Sequence, residues 1–218
     1  MRKFTIFSPN TIRKIKAMKI KKMVGGTFNS KIIDIGSADG SFASLLLGHN
    51  NFVAVDMDKE SLKKNCAKRK IIMKIRDRLP FEDNSFDYVL CFEFLEHQKR
   101  NTAVKIIREI YRILKEDGVF VFSTPNYLRL TTFFRDMVGR KRKYPIPVGK
   151  MEGVEHRDFH YYEFSIPELR EILKRIGFKK IIMKSVFIHI PFTKIILPFA
   201  FPGGNTIIGV AFKGVNNG

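Results

Sequence analysis

The sequence predicts an α/β fold, a mostly parallel sheet wound on both faces by helices. Three observations predict it. Short apolar runs alternate with helical stretches between Lys31 and Gly118. Those runs are apolar at successive positions rather than at every second one, as in strands buried on both faces. The first run ends in a turn of small residues, Gly36-Ser37-Ala38-Asp39-Gly40, which lets a ligand approach the backbone at the carboxyl edge of a sheet.

In chain order, residues 8–24 read as a basic amphipathic helix, with Ser8 as N-cap, Pro9 in the first turn and Gly25-Gly26 as the stop. Ile12, Ile15, Met18 and Met23 form its apolar face, and Arg13, Lys14, Lys16, Lys19, Lys21 and Lys22 form the rest. Strands are expected at 31–35, 51–56, 71–75, 86–92 and 118–123, with helices at about 40–48, 59–69 and 101–116 between them. The last helix is the clearest, with Ala103, Ile106, Ile107, Ile110, Ile113 and Leu114 at helical spacing and Gly118 beyond.

After Pro125 the rhythm breaks. Residues 126–160 hold a basic knot, Arg140 to Lys143, and a loop bearing proline and glycine. Ser165-Ile166-Pro167-Glu168 then opens a helix that carries Leu169, Ile172, Leu173 and Ile176 and stops at Gly177. Strands near 178–188 and 206–213 close the chain, joined by a loop rich in phenylalanine and proline. The expected organisation is a single domain over 1–218, in which 1–30 is a basic helical extension and 127–165 a lid facing the substrate.

Forty Lys+Arg against twenty-one Asp+Glu leave a net charge of +19 in 218 residues. Hydrophobic content of 44% excludes a disordered chain and suits a soluble globular one. Cys66 and Cys91 make no disulfide framework, so a cytoplasmic setting is expected. The most apolar late stretch, 186–201, is shorter than a membrane span and is broken by Pro191, Lys194 and Pro198. The charge is unevenly spread. Residues 1–30 contain eight basic residues and no acidic one, whereas Phe81 to His97 contain five acidic residues and no Lys or Arg. The basic clusters point to an anionic partner, a membrane surface or RNA.

The turn after the first strand carries the chemistry. Asp34 precedes it, and twenty residues after Gly36 the second strand ends in Asp56, where a carboxylate can accept both hydroxyls of a ribose. A dinucleotide fingerprint wants glycine at 36, 38 and 41, but Ala38 and Ser41 stand at the latter two. Asp39, beside the helix N-terminus, would also repel a pyrophosphate. A ligand with ribose and positive charge but no phosphate fits better, and S-adenosylmethionine is such a ligand.

With DIGSADG (34–40), VAVDMD (53–58), LPFEDNSFDYVLCFEFLEH (79–97), LKEDGVFVFSTPN (114–126) and FSIPELREILKRIGF (164–178), the chain resembles the class I S-adenosylmethionine-dependent methyltransferases. It is most similar to their ubiquinone/menaquinone-biosynthesis, or "type 11", branch. The resemblance implies a Rossmann-like methyltransferase fold of seven strands in the order 3-2-1-4-5-7-6, the last antiparallel, and S-adenosylmethionine as cofactor. It implies that Asp34 and Gly36 shape the pocket for the methionine moiety and that backbone at Ser37 and Ala38, with Gly40 behind it, lets the cofactor lie close. It further implies that Asp56 holds the ribose hydroxyls, Met57 packs on adenine, and Cys91 and Phe92 line the methionine end, mostly through backbone. After the third strand the family often has Asp-Ala where this chain has Ile75-Arg76, and Arg76 and Asp77, with Asp77 as the substitute for the adenine contact, are among the expected cofactor-binding residues.

The segment EHRDFHYYEF (155–164) falls where related enzymes place substrate-facing residues, so His160, Tyr161 and His97 are the candidates for a base that deprotonates an acceptor hydroxyl. No metal is expected. His156 and His160 lie four apart, but Arg157 stands where a metalloprotease pair needs glutamate. Cys91, inside an apolar run without a neighbouring base, reads as structural. The expected activity is methyl transfer to a small-molecule or lipid-like acceptor, with the apolar loop 186–204 walling a greasy pocket or touching a membrane. The alternatives are an RNA or other nucleic-acid methyltransferase that uses the basic surface, and a cofactor-binding protein without catalysis.

Overall fold

The structure, a computed structural model, describes residues 8–25, 28, 31–75, 78–139, 143–147, 159–189, 196–200 and 203–214. Helix α1 (Pro9–Val24) precedes strand β1 (Ile32–Ile35), helix α2 (Ser41–Leu47), β2 (Val53–Asp56), α3 (Lys59–Lys64), β3 (Arg69–Ile72) and β4 (Phe86–Phe92). A 3-10 turn (Leu95–His97) leads into α4 (Arg100–Ile113) and β5 (Leu114–Pro125). Then come α5 (Leu130–Met137), β6 (Ile146–Pro147), β7 (Phe159–His160), α6 (Ile166–Ile176), β8 (Lys180–His189), β9 (Ile196–Ala200) and β10 (Thr206–Phe212).

One sheet holds all but the β6–β7 pair, in the order β3-β2-β1-β4-β5-β10-β8-β9. Its first five strands pair in parallel, and β10 runs antiparallel to both β5 and β8. The seven strands of the expected order are therefore all present. An eighth, β9, adds to the outer edge antiparallel to β8, with a register shift between Val186 and Ile188, within the stretch 186–204 expected to be loop.

The side-chain period of two divides the sheet into two cores. Ile33, Ile35, Val89, Cys91, Phe120 and Phe122 pack with Ile106, Ile110, Leu169 and Leu173 of α4 and α6. Ile32, Ala54, Leu90, Val119, Val121 and Val210 pack on the other face with Ile20, Leu46, Leu47 and Leu62 of α1 to α3. This alternation orients the site. Asp34 shares the parity of Ile32 and so belongs to the α1–α2 face, while Cys91 shares the parity of Val89 and faces α4.

Several expected boundaries shift for identifiable reasons. Helix α3 stops at Lys64, not 69, because Asn65 leaves the helix to use its side chain elsewhere, donating to the Ala38 carbonyl at 2.9 Å and accepting from the Ala67 N–H at 2.8 Å. β3 then begins at Arg69, two residues before the expected 71, as a charged edge strand. β5 starts directly at Leu114, so the expected end of the preceding helix is strand. α5 lies in the region expected to be an irregular lid.

Helix α1 keeps its expected cap, Ser8, but its buried face differs. Ala17, Ile20 and Met23 are buried, whereas Met18 is 70% exposed. The stripe Ile12–Lys16–Ile20, at i and i+4, is the one turned inward, and it takes a lysine with it. At α6, Ser165 accepts from the Glu168 N–H, and the Glu168 carboxylate receives Arg100 and Tyr162 instead of closing the box. Ser165→Ala is expected to cost about 1 kcal/mol of stability by chemical denaturation, the usual loss of an N-cap.

Among the described residues no helix is long and apolar enough to cross a membrane. Cys66 and Cys91 are both free thiols. His156, Arg76, Asp77 and Arg140 to Arg142 lie outside the described residues, and so do parts of 1–30, 127–165 and 186–204.

Candidate active site

A cavity of about 400 Å³ opens at the carboxyl ends of β1, β2 and β4, within the range of small-ligand sites. Its wall includes Asp34, Gly36, Ser37, Ala38, Asp56, Met57, Phe92 and His97, so most of the expected cofactor residues come together. Gly40 is not in the lining. It caps α2 behind the turn, with a left-handed φ of 68° and Asn65 packed against it. Cys91 is fully buried on the opposite face, where burial first, then the charges of Asp34 and Glu96, push its thiol well above the ordinary range. Cys91 is not part of the cavity lining, unlike its neighbour Phe92.

The turn is tied to β2 at several points. Gly36 N–H and Ser37 N–H both donate to the Val55 carbonyl, at 2.9 and 3.1 Å. Ala38 N–H donates to Asp56 Oδ2 at 2.8 Å, and Asp58 N–H donates to Asp56 Oδ1 at 2.9 Å. Ala38 itself sits at φ 46°, left-handed backbone that a glycine there would adopt more easily. Asp56 is thus a buried, oriented carboxylate, and each of its oxygens has more than one lone pair to offer.

Asp34 is different. It is 3% exposed, and its Oδ1 has no hydrogen-bond partner among the described residues. Burial first, then the charges of Asp56 and Asp39, push its carboxyl up to about 8. A buried carboxyl oxygen without a partner costs free energy, and a cationic donor from a ligand would satisfy it. Burial also works to raise Asp39, but hydrogen bonds from Ser41 and the charge of Arg13 hold it below the usual value.

Helix α1 closes one side of the cavity with Arg13 and Lys16, one turn apart. Arg13 donates to Ser41 Oγ at 3.2 Å. Lys16 is turned inward, with Nζ on Glu93 Oε1 at 2.8 Å and Ser123 Oγ at 3.1 Å. Burial opposes ionisation of Glu93, yet the Lys16 charge holds its carboxyl below the ordinary range. Phe42 and Phe92 meet edge to face at 4.6 Å, and Phe94 fills the space over Gly36. Arg13, Lys16, Glu93 and Phe94 are the site residues missed from sequence. The inward stripe of α1 is the signal that would have found Lys16.

A second cavity of about 570 Å³ adjoins the first and shares Asp56, Met57, Phe94, His97 and Gln98 with it. Met73 and Ile75 follow β3 on one side, and Tyr161 stands on the other. Of the three candidate bases, His97 therefore faces both cavities and Tyr161 the second. His97 Nδ1 lies 3.0 Å from the Phe159 carbonyl, and its ring meets that of His160 at 5.2 Å. His160 Nδ1 is 2.9 Å from Glu163 Oε1. Burial first, then Glu93, push the Glu96 carboxyl well above the usual range, although Thr124 donates to it at 3.0 Å.

These features suit a ligand that brings a positive charge to Asp34, hydroxyls to Asp56 and an apolar surface to Met57. The family of methyltransferase domains matches residues 33–122, which span every strand that carries this cavity. A protein of Methanocaldococcus jannaschii, MJ1252, is 26% identical over 211 residues, covering 90% of this chain and 80% of its own. The ubiquinone/menaquinone biosynthesis C-methyltransferase UbiE of Rickettsia felis is 26% identical over 190 residues, 72% of each chain. Among solved structures, a Thermotoga maritima protein described as a possible histamine N-methyltransferase shares the fold, with a TM-score of 0.64 at 16% identity over 93% of this chain and 91% of that one. The chain carries a methyltransferase domain over residues 33–122 and is an S-adenosylmethionine-dependent methyltransferase with S-adenosylmethionine as its cofactor, and it resembles the UbiE branch of the class I enzymes.

Proposed function

We propose that the two adjoining cavities bind S-adenosylmethionine and, beside it, a small-molecule or lipid-like methyl acceptor. The single observation that carries the cofactor placement is the buried, unpartnered Asp34 Oδ1 close to the anchored Asp56. In this reading Asp34 receives the ammonium of the methionine moiety, and Gly36, Ser37 and Ala38 present backbone to it. Asp56 accepts the ribose hydroxyls, Met57 covers the adenine, and Phe92 borders the methionine end. Gly40 acts from behind by holding the turn. Bound there, the cofactor supplies a methyl group on a positively charged sulfur.

The chain's own part is alignment and exclusion of water. Phe42, Phe92 and Phe94 give the cavity apolar walls, and α1 covers it through Arg13 and Lys16. We assign the lid role to residues 1–30 and 127–165 within one domain over 1–218. His97, His160 and Tyr161 stand on the acceptor side. A small or lipid-like acceptor is supported by the apolar walls and by the likeness to UbiE, named for ubiquinone and menaquinone biosynthesis. An RNA acceptor is the second reading, favoured by five exposed basic residues on α3, β3 and the connection between them, Lys63, Lys64, Lys68, Arg69 and Lys70. Labelled methyl transfer to metabolite, lipid and RNA fractions separates the two. Label in the metabolite or lipid fraction supports the first reading, and label confined to RNA overturns it.

Asp34 also sets a pH dependence. With its carboxyl at about 8 in the cofactor-free protein, binding a cation there must release a proton at lower pH. Cofactor affinity is expected to rise by up to about tenfold per pH unit as pH climbs from 6 toward 8, with proton release in calorimetry across buffers. The sign for folding is the opposite. The native carboxyl keeps its proton to about 8 and the unfolded one only to 3.8, so cofactor-free stability falls as pH rises through that window. An affinity that does not change with pH would remove Asp34 from the cation site.

A further inference from the structure

The acceptor-side residues form a constellation that methyl transfer does not require. Glu96 and His97 stand on the 3-10 turn after β4, and His160 stands on β7. One ligand atom from each lies within 4.8 Å of the others. The two segments are fastened together. Tyr161 N–H and Tyr162 N–H donate to the Glu96 carbonyl at 2.8 and 3.2 Å, and β7 is paired with β6 through Ile146 and Pro147.

The imidazoles are also oriented. A carbonyl oxygen only accepts, so the 3.0 Å contact with Phe159 makes His97 Nδ1 the donor and puts the lone pair of the neutral ring on Nε2. His160 Nδ1 is held in the same way by the carboxylate of Glu163. Glu163 is in turn fixed by two hydrogen bonds from Arg129, at 3.0 and 2.9 Å, and by the Tyr144 hydroxyl at 3.3 Å. A histidine whose far nitrogen is tied to a carbonyl or carboxylate is the arrangement that surrounds metal-binding imidazoles. Glu96 supplies a carboxyl oxygen, and Lys16 Nζ pairs with the neighbouring Glu93 at 2.8 Å.

We propose that Glu96, His97 and His160 bind a divalent first-row transition-metal ion, such as Mn²⁺ or Zn²⁺, on the acceptor-side wall of the cavity. Two imidazoles with one carboxylate are a known set for such ions and leave further positions for oxygen ligands. Bonds of about 2.0–2.2 Å bring ligand atoms to roughly 3.0–3.4 Å from one another, so the three side chains draw together on binding. The remaining positions suit water or an acceptor oxygen. That acceptor-facing role rests on the function proposed above, whereas ion binding itself does not. The sequence expectation of no metal weighed only the His156–His160 spacing. The structure pairs His160 with His97 and Glu96 across 63 residues of chain instead.

Calorimetry with MnCl₂ and with ZnCl₂ on the full chain, stripped with a chelator, tests the site. One ion per chain is expected, with affinity at least tenfold weaker in His160→Ala and in Glu96→Gln. Glu163→Gln, which leaves all three ligands in place, is expected to weaken binding by about 10–100-fold. His49→Ala, remote from the site, should bind as the wild type does. No stoichiometric ion, or wild-type affinity in the His160 and Glu163 variants, overturns the proposal. Titration of the same samples with S-adenosylhomocysteine keeps the two readings apart. Wild type that binds S-adenosylhomocysteine but no ion defeats the metal site alone, and the reverse defeats the cofactor placement alone.

Discussion

Replacing Asp56 by alanine is expected to weaken S-adenosylmethionine binding by about 1.5–3 kcal/mol, roughly 10- to 150-fold, the usual worth of hydrogen bonds to a charged group. Asp56 is buried at the end of β2, where its carboxylate would accept hydroxyls at low desolvation cost because it is already out of water. It is also the anchor for Ala38 and Asp58, so alanine loosens the turn as well as removing the contact. Asp56→Asn separates the two effects. The amide oxygen can still accept one of those backbone N–H groups, so the asparagine variant should keep most of the stability and lose most of the affinity. Calorimetry and thermal melting of the two variants check this. Unchanged affinity in Asp56→Ala would refute the ribose contact.

Gly36→Ala is expected to be the other severe change. Gly36 sits at φ 71°, where an L side chain costs about 1–2 kcal/mol. An added Cβ would also fall within 2.9 Å of the Cβ, Cγ and Cδ2 atoms of Phe94. Phe94 borders both cavities, so a displaced ring takes up space in the pocket proposed for the cofactor and its acceptor. The expected result is at least a tenfold loss of cofactor affinity with a smaller loss of stability. Adding Phe94→Ala to Gly36→Ala should restore part of the affinity, and the double-mutant cycle measures how much of the damage runs through the ring. Purely additive effects would mean that Phe94 does not transmit it.

The parallel half of the fold was legible because its strands are continuous apolar runs and its helices carry strong stripes, as Ile106, Ile107 and Ile110 do. The antiparallel half was legible as strands but not as a complete sheet. Prolines at 191 and 198 made the stretch before Pro202 look like loop, and β9 forms there because an edge strand tolerates proline on its unpaired side. At the site, the Gly36 turn and Asp56 were legible from their spacing at strand ends, whereas the role of Asp34 came from the family resemblance. Lys16 could not, because a lysine in a basic helix reads as solvated until Glu93 and Ser123, 77 and 107 residues away, are brought to it. Cys91 was placed on the pocket by its position in the motif, yet strand alternation turns its side chain to the opposite core. His97 and His160 were singled out separately, and only the β6–β7 hairpin makes them neighbours.

In the proposed site Asp34 and Asp56, on either side of the Gly36 turn, hold the cofactor. A crystal structure of the protein with S-adenosylhomocysteine tests it most directly. The amino group of the homocysteine moiety is expected within hydrogen-bond distance of Asp34 Oδ1, with the ribose hydroxyls on Asp56. A cofactor seated elsewhere, or one whose ribose leaves Asp56 untouched while Asp34 Oδ1 stays without a donor, would contradict it.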